Sequence, residues 1–241
     1  MADFKIEYSD VKLVANGHVL EVYRYEKPVC SNFEGQGGRR RKDAEESKRA
    51  REIRRTSCNK ARNEVRRKVL ANFNEHSKFV TLTFREDIRD VQTANKYFKK
   101  FMQRLRYRYK GFKYLAVIEF TKEGRVHYHM ISDLPYIPNK ELAEIWSNGF
   151  VKINDIRGVD NVGAYMIKYM LKDLDDERLK GNKAYLCSKG LKTSSVVRGN
   201  IVERVLKSYG ITEESKKVFE SSYTSEHHGN VSYTEYNLKR L

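Results

Sequence analysis

The chain has 241 residues, of which 33% are charged and 39% hydrophobic, and it carries a formal charge of +16 with a pI near 9.6. That length suits one domain of ordinary size with an appendage, and that charge calls for a polyanionic partner, nucleic acid first. Three scattered cysteines without a CxxC exclude a zinc ribbon and a disulfide framework.

The N-terminus does not read as a secretory signal. No apolar run nears the ~20 residues that span a bilayer, so a reducing cytoplasm and no membrane partner are expected. Residues 5–25 alternate in polarity around Asn16-Gly17, a strong hairpin signal. The stretch KPVCSNFEGQGG breaks that pattern as a linker would. Residues 39–75 are rich in helix formers, and Arg39–Lys68 holds 14 Lys/Arg against 5 Asp/Glu. The segment is either a solvated charged arm or a helix lying on DNA phosphates. Its candidate contacts are Arg39, Arg40, Arg41, Arg54, Arg55, Arg66 and Arg67.

A different rhythm follows. FVTLTF (79–84) predicts a strand, 91–110 a helix ended by Gly111, KYLAVIEF (113–120) a strand, and RVHYHMIS (125–132) its antiparallel return. Residues 139–146 predict a short helix, 149–156 a strand and 161–174 a helix. The β-α-β-β-α-β order predicts an α+β, ferredoxin-like (RRM-like) antiparallel sheet with helices on one face. The hairpin and basic helical arm would precede it. The expected divisions are 1–75 (hairpin and DNA-binding arm), 76–180 (catalytic domain) and 181–241 (a C-terminal extension packed on that domain).

Within VHYHM, His127 and His129 stand at i and i+2 and share one face of a strand. Two imidazoles so placed can share a metal ion, or they can be polar residues on a wet sheet face. Glu119 interrupts the apolar run of the preceding strand, and across a tight hairpin it can join the histidines. Two imidazoles and a carboxylate suit Mg²⁺ or Mn²⁺, and zinc or iron would also fit the donor types. Further along, YMIKYMLK wound at 100° per residue puts Tyr165, Lys168, Tyr169 and Lys172 on one stripe. Met166, Ile167, Met170 and Leu171 fall opposite, where packing on the sheet is expected. Lysines near a phenol favour the phenolate, which can attack a phosphodiester. For single-strand contacts the basic, aromatic end of the 91–110 helix offers Tyr107, Arg108 and Lys110. The SKGLK loop adds Lys189 and Lys192.

FVTLTF, VHYHM and YMIKYMLK, in that order over about residues 79–172, resemble the HUH endonucleases. The match is closest to rolling-circle replication initiators of plasmids and single-stranded DNA phages. The resemblance implies metal ligands at His127 and His129, with Glu119 third, and Tyr165 and Tyr169 as a paired-tyrosine motif. It gives Lys168 and Lys172 phosphate or metal positioning. It implies a bacterial, plasmid- or phage-encoded nickase that holds a 5′-phosphotyrosine intermediate at a hairpin-presented single-stranded origin. No GxxxxGK[ST] phosphate loop is present, so the host helicase and polymerase would be partners. A transposase or relaxase shares the same chemistry, and a non-catalytic DNA-binding repressor is the competing class.

Overall fold

Asn16-Gly17 turns the chain in the computed structural model, with Gly17 at φ 59° in the left-handed region. The turn joins β1 (Glu7–Asn16) to β2 (Val19–Ser31). The structure describes residues 7–31, 46–170, 177–179, 181–211 and 215–240. It divides into two compact units, one of residues 1–43 and 193–241, the other of residues 44–192. The hairpin and the basic helix, grouped as one arm by the sequence reading, therefore fall in different units.

In the first unit, β8 (Ser195–Arg198) pairs with β1, and β10 (Gly229–Asn237) pairs with β2 and with β9 (Lys217–Ser225). All pairings are antiparallel. Val11, Leu13, Leu20 and Val22 bury one face against Val202 and Leu206 of α5 (Ile201–Ser208).

The second unit holds α1 (Glu46–Asn72), β3 (Lys78–Thr83), α2 (Val91–Arg108), β4 (Tyr114–Phe120), β5 (Val126–Ser132), α3 (Asn139–Trp146), β6 (Val151–Asn154), α4 (Val162–Ile167) and β7 (Tyr185–Cys187). Its antiparallel sheet has the order β6-β3-β5-β4-β7. The fold class is thus α+β, with two antiparallel sheets and five helices among the described residues.

One face of this sheet is the main core. Val80, Leu82, Ile118, Tyr128 and Met130 pack there with Phe98 and Phe101 of α2 and Trp146 of α3. Asp90 caps α2, its carboxylate accepting from the Thr93 amide at 2.7 Å. The alternate residues of β3, β4 and β5 point to the opposite face. Helices lie on that face too, where one-sided cover was expected. Tyr165 of α4 meets Phe79 there, and α1 reaches Tyr185 through Lys68. Val65, Val69, Leu70 and Phe73 bury one side of α1, so its C-terminal half is part of a packed unit rather than an arm. The helix expected over 161–174 is shorter. α4 ends at Ile167, residues 168–170 form turns, and 171–176 lie outside the described residues.

Candidate active site

The β4–β5 register sets Glu119 opposite His127 and Val117 opposite His129, while β3 sets Thr83 opposite His127 and Thr81 opposite His129. Partners across an antiparallel ladder share a face, so the two histidines, Glu119 and both threonines stand together, away from the Tyr128 core. Tyr128 is fully buried there, its hydroxyl donating to Asn95 Oδ1 at 2.7 Å. The residue between the histidines is an anchor that fixes which way they point.

His129 is 4% exposed and held on three sides. Its Nε2 lies 2.6 Å from Glu119 Oε2 and its Nδ1 3.1 Å from Thr81 Oγ1. With Glu119 ionised, Nε2 carries the proton and Nδ1 accepts from the threonine hydroxyl. The ring of Tyr169 stacks on the imidazole with centroids 3.8 Å apart. His127 is half-buried. Burial, then the neighbouring His129, lowers its pKa below the usual histidine value, which favours the neutral imidazole that ligates metals.

Tyr169 donates its hydroxyl hydrogen bond to Tyr165 Oη at 3.1 Å. Beneath the pair lies Phe79, 1% exposed, with ring centroids 4.9 Å from Tyr165 and 5.3 Å from Tyr169. The tyrosine stripe therefore faces the sheet, where the apolar stripe was expected. A tyrosine ring packs as well as a methionine does and keeps a polar tip, so helical spacing cannot choose between the two sides. Met166 and Met170 are buried as well. Asn161 caps α4 at the Ala164 amide, 2.8 Å away. Gly163 lies so close to α1 that a Cβ there would sit 2.6 Å from the Arg66 carbonyl oxygen.

The electrostatics run against the expected phenolate. Burial, then the hydrogen bond with Tyr165, raises the Tyr169 pKa above the usual phenol value. Lys168 is exposed, and its Nζ lies 5.7 Å from the Tyr165 ring centroid. Lys172 lies outside the described residues.

Among the described residues no group of three or more His, Cys, Asp or Glu converges to hold a metal ion. The donors present nonetheless suit one chemically. A proton bridges Glu119 and His129 where a cation could stand, and His127 faces Glu119 across the ladder.

Sequence reasoning missed several neighbours. Phe79 and Thr81 lay within FVTLTF, readable as a strand but silent about their contacts. On the same face Lys68 donates to Glu64 at 2.7 Å and to Tyr185 Oη at 2.8 Å. Burial would lower the Lys68 pKa, but these two bonds outweigh it and raise it.

The expected DNA contacts do not gather at this site. Tyr107, 86% exposed, and Lys110, also exposed, belong to the end of α2, across the sheet from the histidines. They lie near Tyr114, which starts β4, whereas Glu119 is five residues on, about 17 Å along an antiparallel strand. Arg108 there lies 3.5 Å from Glu141. Lys189 and Lys192 are exposed on a loop held to α1 by Asn72, whose Oδ1 accepts from the Lys192 amide at 2.7 Å. Arg66 and Arg67 are half-buried on α1, Arg54 and Arg55 lie on the same helix, and Arg39, Arg40 and Arg41 fall outside the described residues.

Residues 77–174 match a family model for replication-associated proteins of the ORF2 type. The match spans under half of the chain, but it contains both histidines, Glu119 and both tyrosines. It marks this part of the molecule as similar to replication-associated proteins. No curated protein and no solved structure gives a match. No described helix is long and apolar enough to cross a membrane.

Proposed function

We propose that the chain is a metal-dependent, site-specific single-strand DNA nickase and strand transferase that initiates rolling-circle replication. The observation that carries this reading is the stacking of Tyr169 on His129, itself bonded to Glu119, with Tyr165 within hydrogen-bond reach of Tyr169. His127, His129 and Glu119 would hold Mg²⁺ or Mn²⁺. Such an ion supplies Lewis-acid polarisation of the scissile phosphate when bound.

A tyrosine Oη attacks the phosphorus and gives up its proton. The P–O3′ bond breaks, and the leaving 3′-oxygen takes up a proton. The products are a 5′-phosphotyrosine and a free 3′-hydroxyl, which a host polymerase can extend. Phosphoester is exchanged for phosphoester, so bond energy is kept for rejoining. The second tyrosine allows a second transfer. Lys168, exposed beside Tyr165, is placed to meet phosphate. The basic charge of the chain draws the strand in, and strand separation falls to a host helicase.

The test is denaturing electrophoresis after incubation with a randomised single-stranded library and Mn²⁺. Covalent adduct is expected from the wild type, and none from His129→Ala or from the double variant Tyr165→Phe/Tyr169→Phe. Tight DNA binding that is indifferent to EDTA and yields no adduct on linear or hairpin substrates would instead mark a non-catalytic repressor.

A further inference from the structure

The edge strand β6 bears an aromatic ring and a cation on the face that carries the histidines. In the β3–β6 register Thr81 stands opposite Lys152 and Phe79 opposite Asn154. The ladder runs on past the strand end, with the Thr83 amide donating to the Phe150 carbonyl at 3.0 Å and the Arg85 amide to that of Asn148 at 2.8 Å. Ladder partners share a face, so Phe150 stands beside Thr83 and Lys152 beside Thr81. Those threonines in turn stand opposite His127 and His129. Two strand spacings, about 10 Å, separate the β6 row from the histidine row.

Phe150 is 76% exposed, whereas Phe79 on the same face is 1% exposed. A single exposed phenylalanine needs no explanation by itself. This one is held rigidly. Its carbonyl accepts from both the Thr83 amide and the Thr83 hydroxyl, at 3.0 and 3.3 Å. The preceding Gly149 is so tightly placed that a Cβ would collide with the Thr83 carbonyl oxygen and lie 2.7 Å from the Arg85 nitrogen. The bare ring is thus presented by fixed backbone at the rim of the site.

Lys152 is exposed, with no hydrogen bond or ion pair among the described residues. The nearest acid along the strand, Asp155, is committed to Arg157 at 2.6 Å. Phe150 and Lys152 are two residues apart, about 7 Å along the strand. A ring for a base face and an ammonium for a phosphate are the two elements that hold single strands without reading sequence.

We infer that Phe150 and Lys152 form a subsite on β6 for a nucleotide flanking the scissile phosphate, Phe150 stacking its base and Lys152 pairing with a phosphate. The inference rests on the proposed nickase reading and names where its substrate runs, across the sheet edge toward His127.

The test uses the full chain in a Tyr165→Phe/Tyr169→Phe background with EDTA, so that only binding is read. Fluorescence anisotropy of a short fluorescein-labelled oligothymidylate is followed across a salt series. Phe150→Ala should weaken binding on the order of tenfold, and Phe150→Tyr should restore it. Lys152→Met should lower the slope of log affinity against log salt by about 0.7. Both sites are exposed, and unchanged thermal melting of the variants would confirm intact folds. If the background protein binds and the native chain forms adduct, while both variants bind with unchanged affinity and slope, the subsite is wrong and the nickase stands. If the native chain neither binds the oligonucleotide nor forms adduct, both fall.

Discussion

Gly163 is the point at which α1 fixes the tyrosines. A Cβ there would lie 2.6 Å from the Arg66 carbonyl oxygen and 2.8 Å from Leu70 Cγ. Atoms of this kind rest at about 3.5 Å or more, so Gly163→Ala requires α4 and α1 to part by roughly 1 Å. The carbonyl belongs to the backbone of a helix with a buried side and cannot swing away. Overpacking of this kind costs about 1–3 kcal/mol, and the better helix propensity of alanine returns up to about 1 kcal/mol. The net expectation is a loss of about 1 kcal/mol in urea unfolding. Reactivity should suffer more. Tyr165 is two residues along α4 and Tyr169 follows it, and a 1 Å misplacement of a reacting group can cost about a hundredfold. Single-turnover adduct formation, measured with the intact protein and compared with the unfolding data, separates the two effects. A Gly163→Ala protein as stable and as reactive as the wild type would refute the close α1–α4 packing and its role in placing the phenols.

Thr81→Val keeps the shape of the side chain and removes the hydroxyl 3.1 Å from His129 Nδ1. The Mn²⁺ concentration for half-maximal adduct should rise about 10- to 100-fold, as for other partners that orient a ligand imidazole; a manganese titration checks it. Phe79→Ala empties a fully buried position under both tyrosines and should cost about 3–5 kcal/mol in chemical unfolding. The Lys68 bond lowers the Glu64 pKa below its ordinary 4.5, so its contribution is present above that value and lost as pH falls through the lowered one. Lys68→Met should therefore flatten this part of the acid limb of thermal stability, by a small amount since Glu64 is half exposed.

The sequence made the sheet readable because strands β3 to β6 carry either alternation or compact apolar runs between clear turns. His127, His129 and Glu119 could be placed on one face from period two and one tight hairpin. The tyrosine stripe was visible too, but not which side of it met the sheet, since tyrosine and methionine both pack. Composition hid α1, because Val65, Val69, Leu70 and Phe73 sit within or just after a segment of net charge +9. The first unit's sheet was beyond local reading, since it joins residues 7–31 to strands at 195–198 and 217–237, and no short-range signal encodes pairing over such separations. Short β7 gives Tyr185 to the histidine face and carries almost no pattern of its own.

The most direct test of the central claim is peptide mapping of the DNA-linked protein. The wild-type chain would be trapped on its cleaved strand with Mn²⁺, digested with nuclease and protease, and sequenced by mass spectrometry. A 5′-phosphonucleotide on Tyr169, the phenol stacked on His129, and its absence in His129→Ala, are the predicted results. A nucleotide on a residue other than Tyr169 or Tyr165, or strand cleavage with no protein-linked nucleotide, would contradict the account.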